Sequence, residues 1–223
     1  MAKRRGRKPG IGIGAALARA LWLGVAIYGA WWAWERWGPR SQGARTLGGL
    51  KVHARSEWRA AASSGETAAM PGPERITVHH SGGKALTVSG KSATRRVIKA
   101  IQDDHQKRRG WIDIGYHYIV DRDGHVWEGR PAAVVGAHAG SAAANDANLG
   151  VLVLGNFDLQ SPTAPQLAGL EKLLRALCRK HGIPRSRVLT HREVREACGL
   201  ESTECPGKEL EAWVGRWGSA SRG

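Results

Sequence analysis

His191 and Cys205 bracket a short polar stretch that follows the apolar pair Val188-Leu189 and closes on Pro206-Gly207. A neutral imidazole and a thiolate are both zinc ligands. On their own, a histidine and a cysteine at this spacing arise by chance in many chains. The pair gains meaning from His79, which ends the β-branched run Ile76-Thr77-Val78 and is followed by His80 and Ser81. Two imidazoles at strand ends and one loop thiolate make three protein ligands. A fourth tetrahedral position is then left for water, which is the arrangement of a catalytic zinc site.

The chain has three cysteines, an odd number that fits one pair plus one thiol with another task. Cys178 sits on the apolar face of an expected helix, and its pairing with Cys198 is left open. Cys198, inside the polar stretch, is also the rival of Cys205 for the metal. Pro206 restricts the backbone of Cys205 to extended conformations and so helps to aim its sulfur.

The elements that must position these residues follow from periodicity and punctuation. A strand is expected over Arg75 to His80, after the Pro71-Gly72-Pro73 breaker. Ser56 is expected to cap a short helix. Val97, Ile98, Ile101 and His105 predict an amphipathic helix from Thr94 to Arg109, closed by Gly110. Tyr116–Val120 and His125–Glu128 flank Asp121-Arg122-Asp123-Gly124 and read as a hairpin. Residues 150–155 are apolar throughout, as in a strand buried on both faces. Leu167, Leu170, Leu174 and Leu177 mark a second long helix from Pro165 to His181, ended by Gly182. Val188–Thr190 is a last strand and Glu209–Trp217 a last helix. The fold class expected is α/β, a mixed β-sheet with helices packed on its faces.

The 223 residues suffice for one domain with appendages. Residues 1–10 carry five Lys/Arg and precede an apolar stretch interrupted by Arg19 and ending among Trp31, Trp32, Trp34 and Trp37. Residues 11–37 are therefore expected to form one transmembrane signal-anchor helix, with residues 1–10 a basic cytoplasmic tail. The domain is then expected outside the cytoplasm, in the periplasm or cell envelope. A cleaved signal releasing a secreted domain is the alternative. Residues 38–51 are Gly-rich and polar and read as a linker, with the domain proper over 52–217. Of the net charge of +15, residues 1–50 hold nine Lys/Arg and one acid. The remaining basic excess suits an anionic polymer (nucleic acid, teichoic acid or cell-wall glycan) or an anionic membrane surface, and is most often a solvated face; a nucleic-acid partner is not expected, since only charge argues for it. Oligomeric state is not legible.

Several motifs resemble one family. They are Val78-His79-His80-Ser81; Trp111-Ile112-Asp113-Ile114-Gly115-Tyr116-His117-Tyr118; Asp123-Gly124; Glu128-Gly129-Arg130; Gly136-Ala137-His138; Leu149-Gly150-Val151 with Gly155-Asn156-Phe157; and Thr203-x-Cys205-Pro206-Gly207. In collinear order over roughly residues 52–215 they resemble the type 2 N-acetylmuramoyl-L-alanine amidases, which include phage amidase endolysins and animal peptidoglycan-recognition proteins. The resemblance implies a mixed sheet flanked by helices with a Zn2+ at one end of the sheet. It implies His79, His191 and Cys205 as metal ligands, Tyr116 beside the zinc-bound water, and Thr203 polarising the scissile carbonyl. It implies hydrolysis of the lactyl–L-alanine amide of peptidoglycan or a muropeptide, or, in the alternative, a binding module of the same fold without catalysis. Relative to that family the chain carries an insertion around Glu196–Ser202, which brings in Cys198. His80, His117 and His138 are expected around the site or along the cleft wall, and Glu128 and Arg130 beside the substrate groove. His53, His105, His125 and His181 are expected to be structural or on the surface.

Overall fold

In the computed structural model, which describes residues 45–219, the β-branched runs assemble into one seven-stranded mixed sheet. Its strands are β1 (Arg45–Leu47), β2 (Leu50–His53), β3 (Arg75–His80), β4 (Tyr118–Val120), β5 (Val126–Glu128), β6 (Asn148–Val153) and β7 (Val188–Thr190). They lie in the order β1-β2-β5-β4-β6-β3-β7. The β4–β6, β6–β3 and β3–β7 pairs are parallel, so these four strands run the same way through the centre. β4 and β5 form the expected hairpin. β6 is buried at every residue because strands and packed layers cover it on all sides, as its unbroken apolar sequence requires.

The helices are α1 (Lys91–Asp103), α2 (Ala142–Asn145), α3 (Ala164–His181), α4 (His191–Ala197) and α5 (Lys208–Ser219). Alternation along the strands divides the core in two. Ile76, Val78, Val120, Leu149, Val151 and Val153 face Leu170, Leu173, Leu174 and Leu177 of α3 and Leu210 and Val214 of α5. Ile119, Leu152 and Trp127 face the other way, against Ile98 of α1 and Trp58. His79 falls between Val78 and His80 and pairs with Leu152, so it belongs to the face away from α3 and α5. Truncating a fully buried α3 residue such as Leu174 to Ala would cost about 2–5 kcal/mol.

The helix signals set most of the boundaries. Thr163 and Gln166 form a reciprocal capping box at the start of α3, and Gly182 ends it with φ 68°. α1 begins three residues before the expected Thr94, at Lys91. Thr94 is not an end residue; its buried hydroxyl donates to Asp121 Oδ2 at 3.3 Å. α1 continues into a wider π-type turn over Asp104–Arg108. Ser56 is not a cap: it lies inside a 3-10 turn over Arg55–Trp58, and the cap is Ala54, whose N–H donates to Glu57 Oε1.

The expected linker is corrected from Arg45 onwards. β1 and β2 form an antiparallel hairpin around Gly48-Gly49, and β2 pairs in parallel with β5. Leu47 and Val52 are buried in the main core, so the domain begins before residue 52 and extends to Ser219. The expected tail (1–10), transmembrane helix (11–37) and first part of the linker lie outside the described residues. Among the described residues no helix is long and apolar enough to cross a membrane.

Candidate metal centre

β3, β7 and the Thr203–Gly207 turn bring the three expected ligands together. One donor atom each from His79, His191 and Cys205 lies within 4.8 Å of the others. Cys205 Sγ stands 3.8 Å from His79 Nδ1, and the two imidazole centroids are 4.4 Å apart. Cys198, the rival thiol, follows the last turn of α4 and is exposed, outside this group. Cys178, Cys198 and Cys205 are all free thiols, so the Cys178–Cys198 pairing left open by the sequence is not formed.

Each of the three expected ligands is held by local structure. His79 is the fifth residue of β3, fixed by parallel pairing with Leu152 and almost wholly buried. His191 directly follows β7 and is the first residue of α4. Thr190 caps that helix: its hydroxyl accepts Glu193 N–H at 3.2 Å, and Glu193 Oε2 accepts Thr190 N–H at 2.7 Å. This Thr-x-x-Glu box is visible in the sequence and would have predicted α4. Arg192 N–H then donates to the Cys205 carbonyl at 3.2 Å, tying α4 to the third ligand's backbone. Cys205 Sγ accepts the His80 N–H at 3.4 Å.

The electrostatics favour neutral imidazoles. Burial, then the neighbouring His138 and His191, holds His79 well below the usual histidine range. Burial and Arg195 bring His191 down to about 4. Both rings therefore keep a lone pair at neutral pH, as metal ligation demands. Burial pushes the Cys205 thiol up to about 12 against the pull of the His80 N–H. The donor set of two nitrogens and one sulfur matches zinc. His191 Nε2 is buried and makes no hydrogen bond, although buried polar atoms are ordinarily paired. The residues present thus fit the metal that the sequence pattern implies.

Tyr116 is placed beside this group, its ring 5.1 Å from that of His79. Burial, then Cys205, raises its pKa, so the phenol keeps its proton. Thr203 is half-buried, and its hydroxyl oxygen accepts Cys205 N–H at 3.3 Å, leaving the hydroxyl hydrogen to donate elsewhere. His138 packs directly on His79, with Nδ1 3.0 Å from His79 Nε2. His80 Nδ1 accepts Phe157 N–H.

Arg130 is buried and donates to the carbonyls of Ile114, Val135 and Asp113, clamping the segment that leads into Tyr116. Glu128 pairs with Arg45 of β1. His105 is structural, its Nδ1 accepting Gly115 N–H.

Residues 69–208 match the family described as N-acetylmuramoyl-L-alanine amidase. Peptidoglycan-recognition protein SC2 of Drosophila simulans is 31% identical over 78% of this chain and 90% of its own length. Human N-acetylmuramoyl-L-alanine amidase is 31% identical over 77% of this chain, which spans 29% of that protein. Among solved structures, a tyrosine-to-phenylalanine variant of Drosophila PGRP-LB in complex with tracheal cytotoxin superposes with a TM-score of 0.65 at 31% identity, covering 74% of this chain and 94% of that one. The chain belongs to the N-acetylmuramoyl-L-alanine amidase family.

Proposed function

We propose that this protein is a zinc-dependent N-acetylmuramoyl-L-alanine amidase that hydrolyses the amide between the lactyl group of muramic acid and L-alanine in peptidoglycan or its fragments. The observation that carries this reading is the buried His79/His191/Cys205 group with all three donors present and an unpartnered imidazole nitrogen. His79, His191 and Cys205 hold the metal. Bound zinc supplies a water activated near neutral pH and positive charge for the developing oxyanion. Thr203 donates its hydroxyl hydrogen to the scissile carbonyl oxygen, a contact worth about 3 kcal/mol in the transition state. Tyr116, a protonated phenol against His79, orients the attacking water or relays its proton.

The family also includes recognition proteins, so binding without hydrolysis is the second reading; PGRP-LB in complex with tracheal cytotoxin supports a muropeptide as ligand for either. Metal analysis with a muropeptide digest read by mass spectrometry separates them. The amidase reading expects one zinc per chain and free stem peptides beginning with L-alanine. Intact muropeptides that nonetheless bind would establish the module without catalysis.

The same reading places the domain outside the cytoplasm, anchored by residues 11–37. A reporter fused at Gly223 that is active only outside the cytoplasm is expected to give signal. Activity of a cytoplasmic reporter at that position would overturn the anchor and its topology.

A further inference from the structure

His138 is 6% exposed. Its Nε2 is 3.2 Å from the Asn148 carbonyl oxygen, and its Nδ1 is 3.0 Å from His79 Nε2. A carbonyl oxygen can only accept, so His138 Nε2 carries the hydrogen. In the neutral ring Nδ1 is then an acceptor, and the hydrogen between the two rings belongs to His79 Nε2. That leaves the lone pair of His79 on Nδ1, the atom that faces Cys205 Sγ.

The surroundings are shaped for this ring. A Cβ at Gly150 would come within 2.5 Å of His138 Cδ2, and one at Gly136 within 2.6 Å of the same atom. Asn145 Oδ1 accepts the N–H groups of His138 and Ala139 at 2.8 and 2.9 Å, and Asn145 Nδ2 donates to the Ser141 carbonyl. His117, on the other side of Gly136, is committed elsewhere: Nε2 donates to the Val134 carbonyl and Nδ1 accepts Gly150 N–H.

We propose that His138, presented by Asn145 and slotted between Gly136 and Gly150, is the positioning residue that fixes His79 in the Nε2–H tautomer and so aims its Nδ1 lone pair at the metal. The proposal rests on the reading of His79 as a zinc ligand. It treats His138 as more than packing, because a packing residue would leave the tautomer of its neighbour open. Partners of this kind typically change metal affinity by about 10–100-fold when removed.

The first measurement is made on the metal-free wild-type protein. Long-range proton–nitrogen NMR of 15N-histidine-labelled protein should show His79 with its hydrogen on Nε2; a hydrogen on Nδ1 overturns the proposal whatever the metal does. The second uses chelator competition for zinc. His138→Leu should weaken zinc binding about 10–100-fold and release His79 into a mixture of tautomers. His138→Asn, which returns an acceptor near the Nδ1 position, should restore most of both. A His138→Leu protein with unchanged zinc affinity and an unchanged His79 tautomer would show that the ring only fills space. A wild-type protein that takes up no zinc would instead refute the metal reading, and the NMR tautomer would still decide the role of His138.

Discussion

Among the described residues two groups have the composition of a metal site: His79, His191 and Cys205 on one side, and Asp121, Asp123 and His125 in the β4–β5 turn on the other. Each brings three donors within 4.8 Å. They differ in what those donors already do. In the turn, Asp121 Oδ1 accepts the N–H groups of Asp123 and His125, while Oδ2 accepts from Thr94, Trp127 Nε1 and His125 Nδ1. Every lone pair direction of that carboxylate is occupied by a donor of the protein itself, and its task is to close the hairpin. In the other group His191 Nε2 has no partner, and His79 Nδ1 and Cys205 Sγ face each other across 3.8 Å. Proximity of ligand-type side chains defines both candidates; the uncommitted lone pair of His191 Nε2 distinguishes the proposed metal site from the turn.

The largest effect should come from Cys205→Ser, which is expected to remove the zinc and lower hydrolysis by more than about a hundredfold while the domain stays folded. Cys198→Ser should keep one zinc per chain and near-normal turnover, because that thiol is exposed and free. Zinc lost from the Cys198 variant and kept by the Cys205 variant would reverse the assignment. Next in size are Tyr116→Phe and Thr203→Val. Each should reduce kcat, the Thr203 variant by about 10^2–10^3-fold, with zinc content unchanged; metal loss in either variant would move that residue into the ligand shell.

Asp121→Ala tests the other side of the comparison. It should leave zinc stoichiometry at one and instead destabilise the fold by about 3 kcal/mol, since it strands the buried Trp127 and Thr94 donors. Urea unfolding checks the second half, and a fall in zinc content would count against the contrast.

A smaller effect concerns pH. Burial brings both His105 and His117 down to about 4 from an ordinary value of 6.5. Between those values the unfolded chain binds more protons than the folded one, so stability should fall as pH drops from about 6.5 to about 4 and stay flat above. Each group contributes at most about 1.4 kcal/mol per pH unit in that window. Urea midpoints of the metal-free protein at pH 7.5, 6 and 5 measure this; a midpoint that rises on acidification would show that the two rings are not buried neutral.

How much of this was legible beforehand depended on whether a residue's cause lay nearby. β3 and β7 appear at their expected limits because a β-branched run and its flanking breakers are local signals. α3 was readable for the same reason, from its leucine spacing and Gly182. β1 and β2 were not, because Gly-rich polar sequence becomes strand there only through pairing with β5. α4 was not legible from periodicity because it spans only His191–Ala197, although Thr190 and Glu193 form its capping box. The three donors were legible from residue type and motif. The task of His138 was not: its contact with His79 spans 59 residues of chain, and only the fold brings the two rings together. The carbonyl contacts of Arg130 were not legible either, because those of Ile114 and Asp113 lie 16 and 17 residues away in the chain.

The central claim is tested most directly by diffraction data collected at the zinc absorption edge from crystals of the zinc-loaded protein. The account predicts one anomalous peak per chain, about 2.3 Å from Cys205 Sγ and about 2.0–2.1 Å from a ring nitrogen of each of His79 and His191. A peak in the Asp121–His125 turn, or none beside Cys205, would contradict it.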